Sequence, residues 1–179
     1  MAILPILTGN HPVLRQHAKK VGRVDKQILR LLDDMTETVK VAPGIGLAAN
    51  QVGRLVRVIV VWYDDQLHQL INPEILRTEG DIEMEEGCLS LPGIWGEVRR
   101  PERVLVRALT RNGKSTRLNA DGMLARILQH EIDHLDGILF IDRVASADKI
   151  HYKDTDEDKP ATAKIAKELV APHLRSGDA

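Results

Sequence analysis

The chain has 179 residues, 43% of them apolar, which is enough to bury one core and too few for several ordinary domains. Its charge nearly cancels, 25 Lys plus Arg against 26 Asp plus Glu, which excludes a global field able to hold nucleic acid or an anionic membrane. Aromatic residues make up only 3%, too few for a base-stacking platform, and no apolar run approaches the roughly 18 residues of a membrane helix.

The N-terminus, Met-Ala-Ile-Leu-Pro-Ile-Leu, has no basic segment before its apolar residues and no small-residue cleavage site after them. With one cysteine, Cys88, unable to form an internal disulfide, this points to the cytoplasm. From Asp25 to Val41, apolar Ile28, Leu31, Leu32, Met35 and Val39 recur at three- and four-residue steps, which predicts an amphipathic helix capped by Asp25. Pro43, Gly44 and Gly46 stop it. Leu55 to Tyr63 then reads as a buried strand turning at Asp64-Asp65 into a second strand, Leu67 to Ile71. Arg103 to Leu109 and Lys114 to Leu118 read as a hairpin about Arg111-Asn112-Gly113. The last strong helix spans Asp121 to Leu135, with Asp136-Gly137 as its stop.

Helix, antiparallel-looking strands, then helix is an α+β order. Residues 1–145 are expected to form one compact body. Residues 146–179 are expected to be a solvated extension, polar from Lys153 to Pro160 and able to form a short helix between Ala161 and Leu174.

Three segments carry the chemistry. In His130-Glu131-Ile132-Asp133-His134, the two histidines lie one turn apart on one helix face and can bind one ion. Met123 and Ile127 share that face, Glu131 adjoins it, and Arg126, Gln129 and Asp133 are expected on the outer side. Core-facing imidazoles and a carboxylate beside them are costly unless hydrogen-bonded or metal-bound. Satisfaction by backbone carbonyls, without a metal, is the alternative. The second segment, Glu85-Glu86-Gly87-Cys88-Leu89-Ser90, holds the sole thiol, which completes a Cys-His-His set of three ligands with a position left for water. As an alternative, Cys88 is a small buried hydrophobe. The third runs from Pro43 to Gly53. Gly44 and Gly46 allow close backbone approach to a ligand, and Gln51 offers an amide able to donate to an oxyanion. It matches neither the phosphate-loop nor the dinucleotide glycine pattern.

Gly44-Ile45-Gly46-Leu47-Ala48-Ala49-Asn50-Gln51, Glu86-Gly87-Cys88-Leu89-Ser90 and Gln129-His130-Glu131-Ile132-Asp133-His134-Leu135, in this order, resemble the motifs of the bacterial peptide deformylases over roughly residues 5–144. The resemblance implies mixed, mostly antiparallel strands packed around a central metal-carrying helix. It implies Cys88, His130 and His134 as metal ligands, Glu131 as general acid/base, and Gln51 with the Leu89 N–H as oxyanion donors. Gly46 would pair with the substrate backbone, and Ile45, Met84, Met123, Ile127 and His130 would border the formyl-methionine pocket. The implied reaction is metal-dependent removal of the N-formyl group from nascent polypeptides, with release of formate. The implied cofactor is one divalent ion, Fe(II) in the cell, with Zn(II), Ni(II) or Co(II) as substitutes.

Two departures stand out. Many family members carry an arginine shortly after the cysteine motif that touches the peptide; here the stretch is Gly93-Ile94-Trp95-Gly96. Some carry a basic C-terminal helix that docks on the ribosome near the exit tunnel; here an acidic run precedes Lys164, Lys167 and Arg175. The expected partners are formyl-methionyl nascent peptides and, through that tail, the ribosome, with no membrane and no specific nucleic acid. A zincin-type metallopeptidase shares the His-Glu-x-x-His helix, but its third ligand normally lies downstream. A structural Cys-His-His metal and a Cys-His nucleophile are the other readings. His11, His17, His68, His151 and His173 lack motif context and read as surface or structural residues.

Overall fold

The computed structural model describes residues 1–153, so the helix expected between Ala161 and Leu174 lies outside the described residues. Helix α1, Lys26–Val41, starts as its sequence predicts: the Asp25 carboxylate accepts from the N–H groups of Gln27 and Ile28 at 2.9 and 3.0 Å. That satisfies two of the donors every helix start leaves unpaired. The helix gives way at Ala42, because the residue before Pro43 is pushed out of the helical region.

The strands are β1 (Gly46–Ala48), β2 (Val58–Tyr63), β3 (Gln66–Glu79), β4 (Ile82–Cys88), β5 (Leu91–Arg100), β6 (Arg103–Leu109), β7 (Ser115–Asp121) and β8 (Ile150–Tyr152), with α2 (Gly122–Leu135) before the last. They form two sheets, ordered β1-β2-β3-β6-β7 and β4-β5-β8, and every paired strand is antiparallel.

The larger sheet is covered on both faces. Val58 and Val60 join Leu32, Met35 and Val39 of α1 in one cluster, while Ile59 and Val61 join Ala125, Leu128 and Ile132 of α2 in another. This explains the unbroken apolar run of β2, because a strand buried on both faces has no polar side. At its end, Asp64 and Asp65 take positive φ of 51° and 56°, the left-handed pair that a two-residue hairpin turn requires. A third cluster, including Leu91, Ile94, Val98, Phe140 and Val144, forms the core of the smaller sheet.

Helix α2 lies between these bodies, and this corrects one expectation. Arg126, Gln129 and Asp133 do not face outward; they are only 3%, 5% and 7% exposed. A wheel drawn for a helix with one buried side fails here because the smaller sheet meets the other side through polar contacts rather than apolar ones. Arg126 donates to the carbonyls of Ile82 and Val98, and Gln129 donates to that of Pro101. The helix stops at the expected place. Gly137 has φ 73°, and a Cβ there would lie 2.5 Å from the Arg15 carbonyl oxygen.

Strands β4, β5 and β8 were not legible as strands. The apolar pattern of β4 is interrupted by Glu86, and that of β5 by Pro92, Gly93 and Gly96. Strand β8 lies past residue 145 and pairs with β5 through Ile94, Trp95 and Gly96.

Candidate metal centre

Cys88 closes β4 at a register slip that follows Gly87, and His130 and His134 stand one turn apart on α2. The fold brings all three together. Cys88 Sγ lies 3.2 Å from His134 Nε2, and one candidate ligand atom from each of the three residues falls within a 4.8 Å spread. For ordinary metal–sulfur and metal–nitrogen bonds in a tetrahedral site, neighbouring ligand atoms are about 3.4–3.6 Å apart. The spacing therefore fits one ion, and a thiol with two imidazoles is a donor set for a first-row divalent metal. His134 is suited to this role because burial, reinforced by the charges of His130 and Arg100, holds its pKa well below the ordinary value and keeps the ring neutral. The third ligand comes from a strand upstream of the helix, opposite to the order that a zincin requires.

His130 is oriented from behind. Its Nδ1 lies 2.9 Å from Glu86 Oε2, which leaves Nε2 as the ligating nitrogen. Glu86 is itself gripped by Arg100, whose Nε and Nη2 donate to its two oxygens at 2.6 and 3.0 Å, and by Arg126 at 2.5 Å. Arg100 also donates to Asp133 at 2.7 Å, and Asp133 takes a second, bidentate pair from Arg143. Burial alone would raise the Glu86 pKa, but the bonds to His130 and Arg100 outweigh it and bring it down to about 2. The carboxylate thus stays charged behind His130. There burial opposes a proton, while Cys88 and Glu86 favour one strongly enough to hold the pKa well above the ordinary value.

Glu131 has the opposite setting. It is buried beside the ligands, its Oε2 has no hydrogen-bond partner among the described residues, and burial, against the opposing pull of His130, pushes its pKa up to about 7. Gly46 of β1 packs directly against it: a Cβ on Gly46 would stand 2.3 Å from Glu131 Oε1 and 2.9 Å from Ile127 Cγ2. Gln51 is 1% exposed; its Oε1 accepts from the Ala48 N–H at 2.8 Å, and its Nε2 donates to Ser90 Oγ at 3.1 Å and lies 3.7 Å from Cys88 Sγ. Its amide is fixed with the N–H end toward the thiol. Asn50 locks the end of α2 to this segment, donating to the His134 carbonyl at 2.6 Å.

Of the other expected residues, Leu89 follows the ligand Cys88 and Ile127 lies one turn before Glu131 on α2. Leu89 packs its side chain onto Gly44, Ile127 is buried, Met84 and Met123 are half-buried, and Ile45 is exposed while its carbonyl accepts from the Trp62 N–H. Five contributors were missed: Glu86, Arg100, Arg126, Ser90 and Asn50. Only Glu86 carried a signal, a carboxylate two positions before the ligand cysteine and so on the same face of the strand.

A thiol and two imidazoles gathered for one cation, with a buried carboxyl of raised pKa beside them, define a metal-dependent hydrolase. The polypeptide deformylase family model matches residues 3–150, and the chain belongs to that family. A peptide deformylase of Symbiobacterium thermophilum is 50% identical over 171 residues, covering 94% of this chain and 79% of that one. One of Syntrophobacter fumaroxidans is 53% identical over 149 residues, covering 80% and 88%. Among solved structures, a peptide deformylase from Synechococcus elongatus in complex with actinonin superimposes with a TM-score of 0.78 at 42% identity, covering 91% of this chain and 86% of that one. That from Thermotoga maritima gives 0.79 at 38%, covering 81% and 99%.

Proposed function

We propose that this protein removes the N-formyl group from the formyl-methionine terminus of nascent polypeptides, releasing formate and a free amino terminus, within the cytoplasm. The observation that supports this most directly is the buried Glu131 carboxyl, pKa about 7, held between Gly46 and the Cys88-His130-His134 group.

Cys88, His130 and His134 would hold one divalent ion, which when bound supplies a Lewis acid and acidifies a water to near-neutral pKa. Fe(II) is the expected occupant in the cell and Zn(II), Ni(II) and Co(II) its substitutes, since thiolate and imidazole accept all four and supply decides among them. Anaerobic reconstitution with each metal separates them by activity.

The remaining work falls to the chain. Gly46 offers its backbone to the extended peptide, and Ile45, Met84, Met123 and Ile127 border the methionine side chain. The Gln51 amide and the Leu89 N–H donate to the formyl oxygen as it gains negative charge; losing one such donor typically costs on the order of 100-fold to 1000-fold. Glu131 takes a proton from the attacking water and returns it to the nitrogen as the carbon–nitrogen bond breaks, a transfer for which a pKa near the working pH is best suited. Residues 1–145 carry this chemistry. The extension, 146–179, contributes β8 and a tail that docks on the ribosome near the exit tunnel through Lys164, Lys167 and Arg175, testable by co-sedimentation with and without residues 153–179.

Formate release from formyl-Met-Ala-Ser, measured before and after chelation, tests the main proposal. Activity that falls with chelation and returns with metal is expected. Cleavage of an unblocked peptide without formate would overturn it.

A further inference from the structure

Two strand edges that no other described strand pairs lie near the metal centre. Strand β1 ends one sheet and β4 ends the other; Gly46 of β1 touches Glu131, and Cys88 closes β4. A peptide strand seated along the β4 edge presents its side chains alternately to the two faces of that sheet. The inner face of β4 carries Met84 and Glu86, toward α2. The outer face carries Glu85 and Gly87, and in the antiparallel register Gly87 pairs with Trp95 of β5.

The missing side chain at Gly87 is filled by that tryptophan. A Cβ on Gly87 would meet Cε3 and Cζ3 of Trp95 at 3.0 Å, so the indole reaches from β5 over β4 at Gly87, toward the β4 edge that no other described strand pairs. Strands are about 4.8 Å apart, and an aromatic ring that crosses one of them reaches the neighbouring position. The ring is also fixed in place: Lys153 Nζ stands 4.3 Å from its centroid and is itself held by Glu85 at 2.6 Å, while the Lys153 N–H donates to the Gly93 carbonyl.

We propose that Trp95 is a specificity-determining residue that forms, across Gly87, an apolar subsite for the residue following the formylated methionine. This rests on the deformylase reading. When methionine faces the inner side, the next side chain faces outward onto the ring, so the enzyme favours flat or apolar residues there. The contact is one-sided and partly solvated, which sets the selectivity at about tenfold, the low end for an apolar subsite.

The experiment compares kcat/KM for formyl-Met-Phe-Ser and formyl-Met-Gly-Ser in the metal-loaded wild type, Trp95→Ala and Trp95→Phe, with metal content and Tm recorded. The wild type should prefer phenylalanine about tenfold, mostly through KM. Trp95→Ala should bring the ratio below about twofold with formyl-Met-Gly-Ser turnover retained, and Trp95→Phe should keep most of the preference. Equal loss on both peptides would mean that the indole only supports the Cys88 loop, and a wild-type ratio near one would overturn the subsite even if Trp95→Ala fails to fold. If the metal-loaded wild type releases formate from neither peptide, the deformylase reading falls and takes the subsite with it; activity with a flat ratio removes the subsite alone.

Discussion

Gly46→Ala tests the placement of the acid/base group more sharply than removing that group. The added methyl carbon would lie 2.3 Å from Glu131 Oε1 and 2.9 Å from both Glu131 Cδ and Ile127 Cγ2. An ordinary carbon–oxygen contact is about 3.2 Å, so the carboxyl must recede by about 0.9 Å. Among the described residues Glu131 Oε2 has no hydrogen-bond partner to lose in that shift, and Gly46 has no positive φ to strain. The stability change should therefore be small, with methyl crowding at Ile127 opposed by the roughly 0.4–1 kcal/mol that replacing a glycine gains through the unfolded chain. Catalysis is less tolerant: a misplacement of about 1 Å costs on the order of 100-fold. The assay is formate release from formyl-Met-Ala-Ser by protein with full metal content, alongside thermal unfolding. A fall in kcat of about 100-fold with Tm within a few degrees is expected. A variant within fivefold of the wild type would show that Glu131 does not act from the position described.

Glu131→Ala should keep its metal and lose about 100-fold to 10,000-fold in turnover, checked by metal analysis and formate release. In Cys88→Ala, a site left with two imidazoles should lose its ion on dialysis, which mass spectrometry of the native protein would detect. Glu86→Gln removes the charge behind His130 Nδ1 and leaves one neutral amide oxygen where His130, Arg100 and Arg126 shared two charged ones. Metal affinity, measured against a competing chelator, should fall about 10-fold to 100-fold. The same residue sets an acid limit. Its folded pKa of about 2 lies below the ordinary 4.5, so its contribution is fully present above pH 4.5 and is lost as pH falls toward 2. The difference is worth about 3 kcal/mol, so urea unfolding of wild type and Glu86→Gln should converge across that window.

The reacting groups were legible because chemistry fixes their type and spacing. Two imidazoles on one helix face and a single thiol leave few ways to assemble a site, and Asp25, Asp64-Asp65 and Gly137 each mark a backbone conformation that few other residues serve as well. The polar seam between α2 and the smaller sheet was not legible, and the reason is physical. Arg126 and Asp133 are each unremarkable on a helix, and they can be buried only because Glu86, Arg100 and Arg143 come from elsewhere in the chain to neutralise them. Periodicity treats a charged residue as a solvent-facing one, so a buried ionic network inverts its prediction at the very positions that build the network. In exchange, the seam gives His130 an orientation that an apolar interface could not. A leucine in place of Glu86 would strand Arg100 and Arg126 without their carboxylate and leave the imidazole free to turn, and the ligand geometry would then rest on the metal alone.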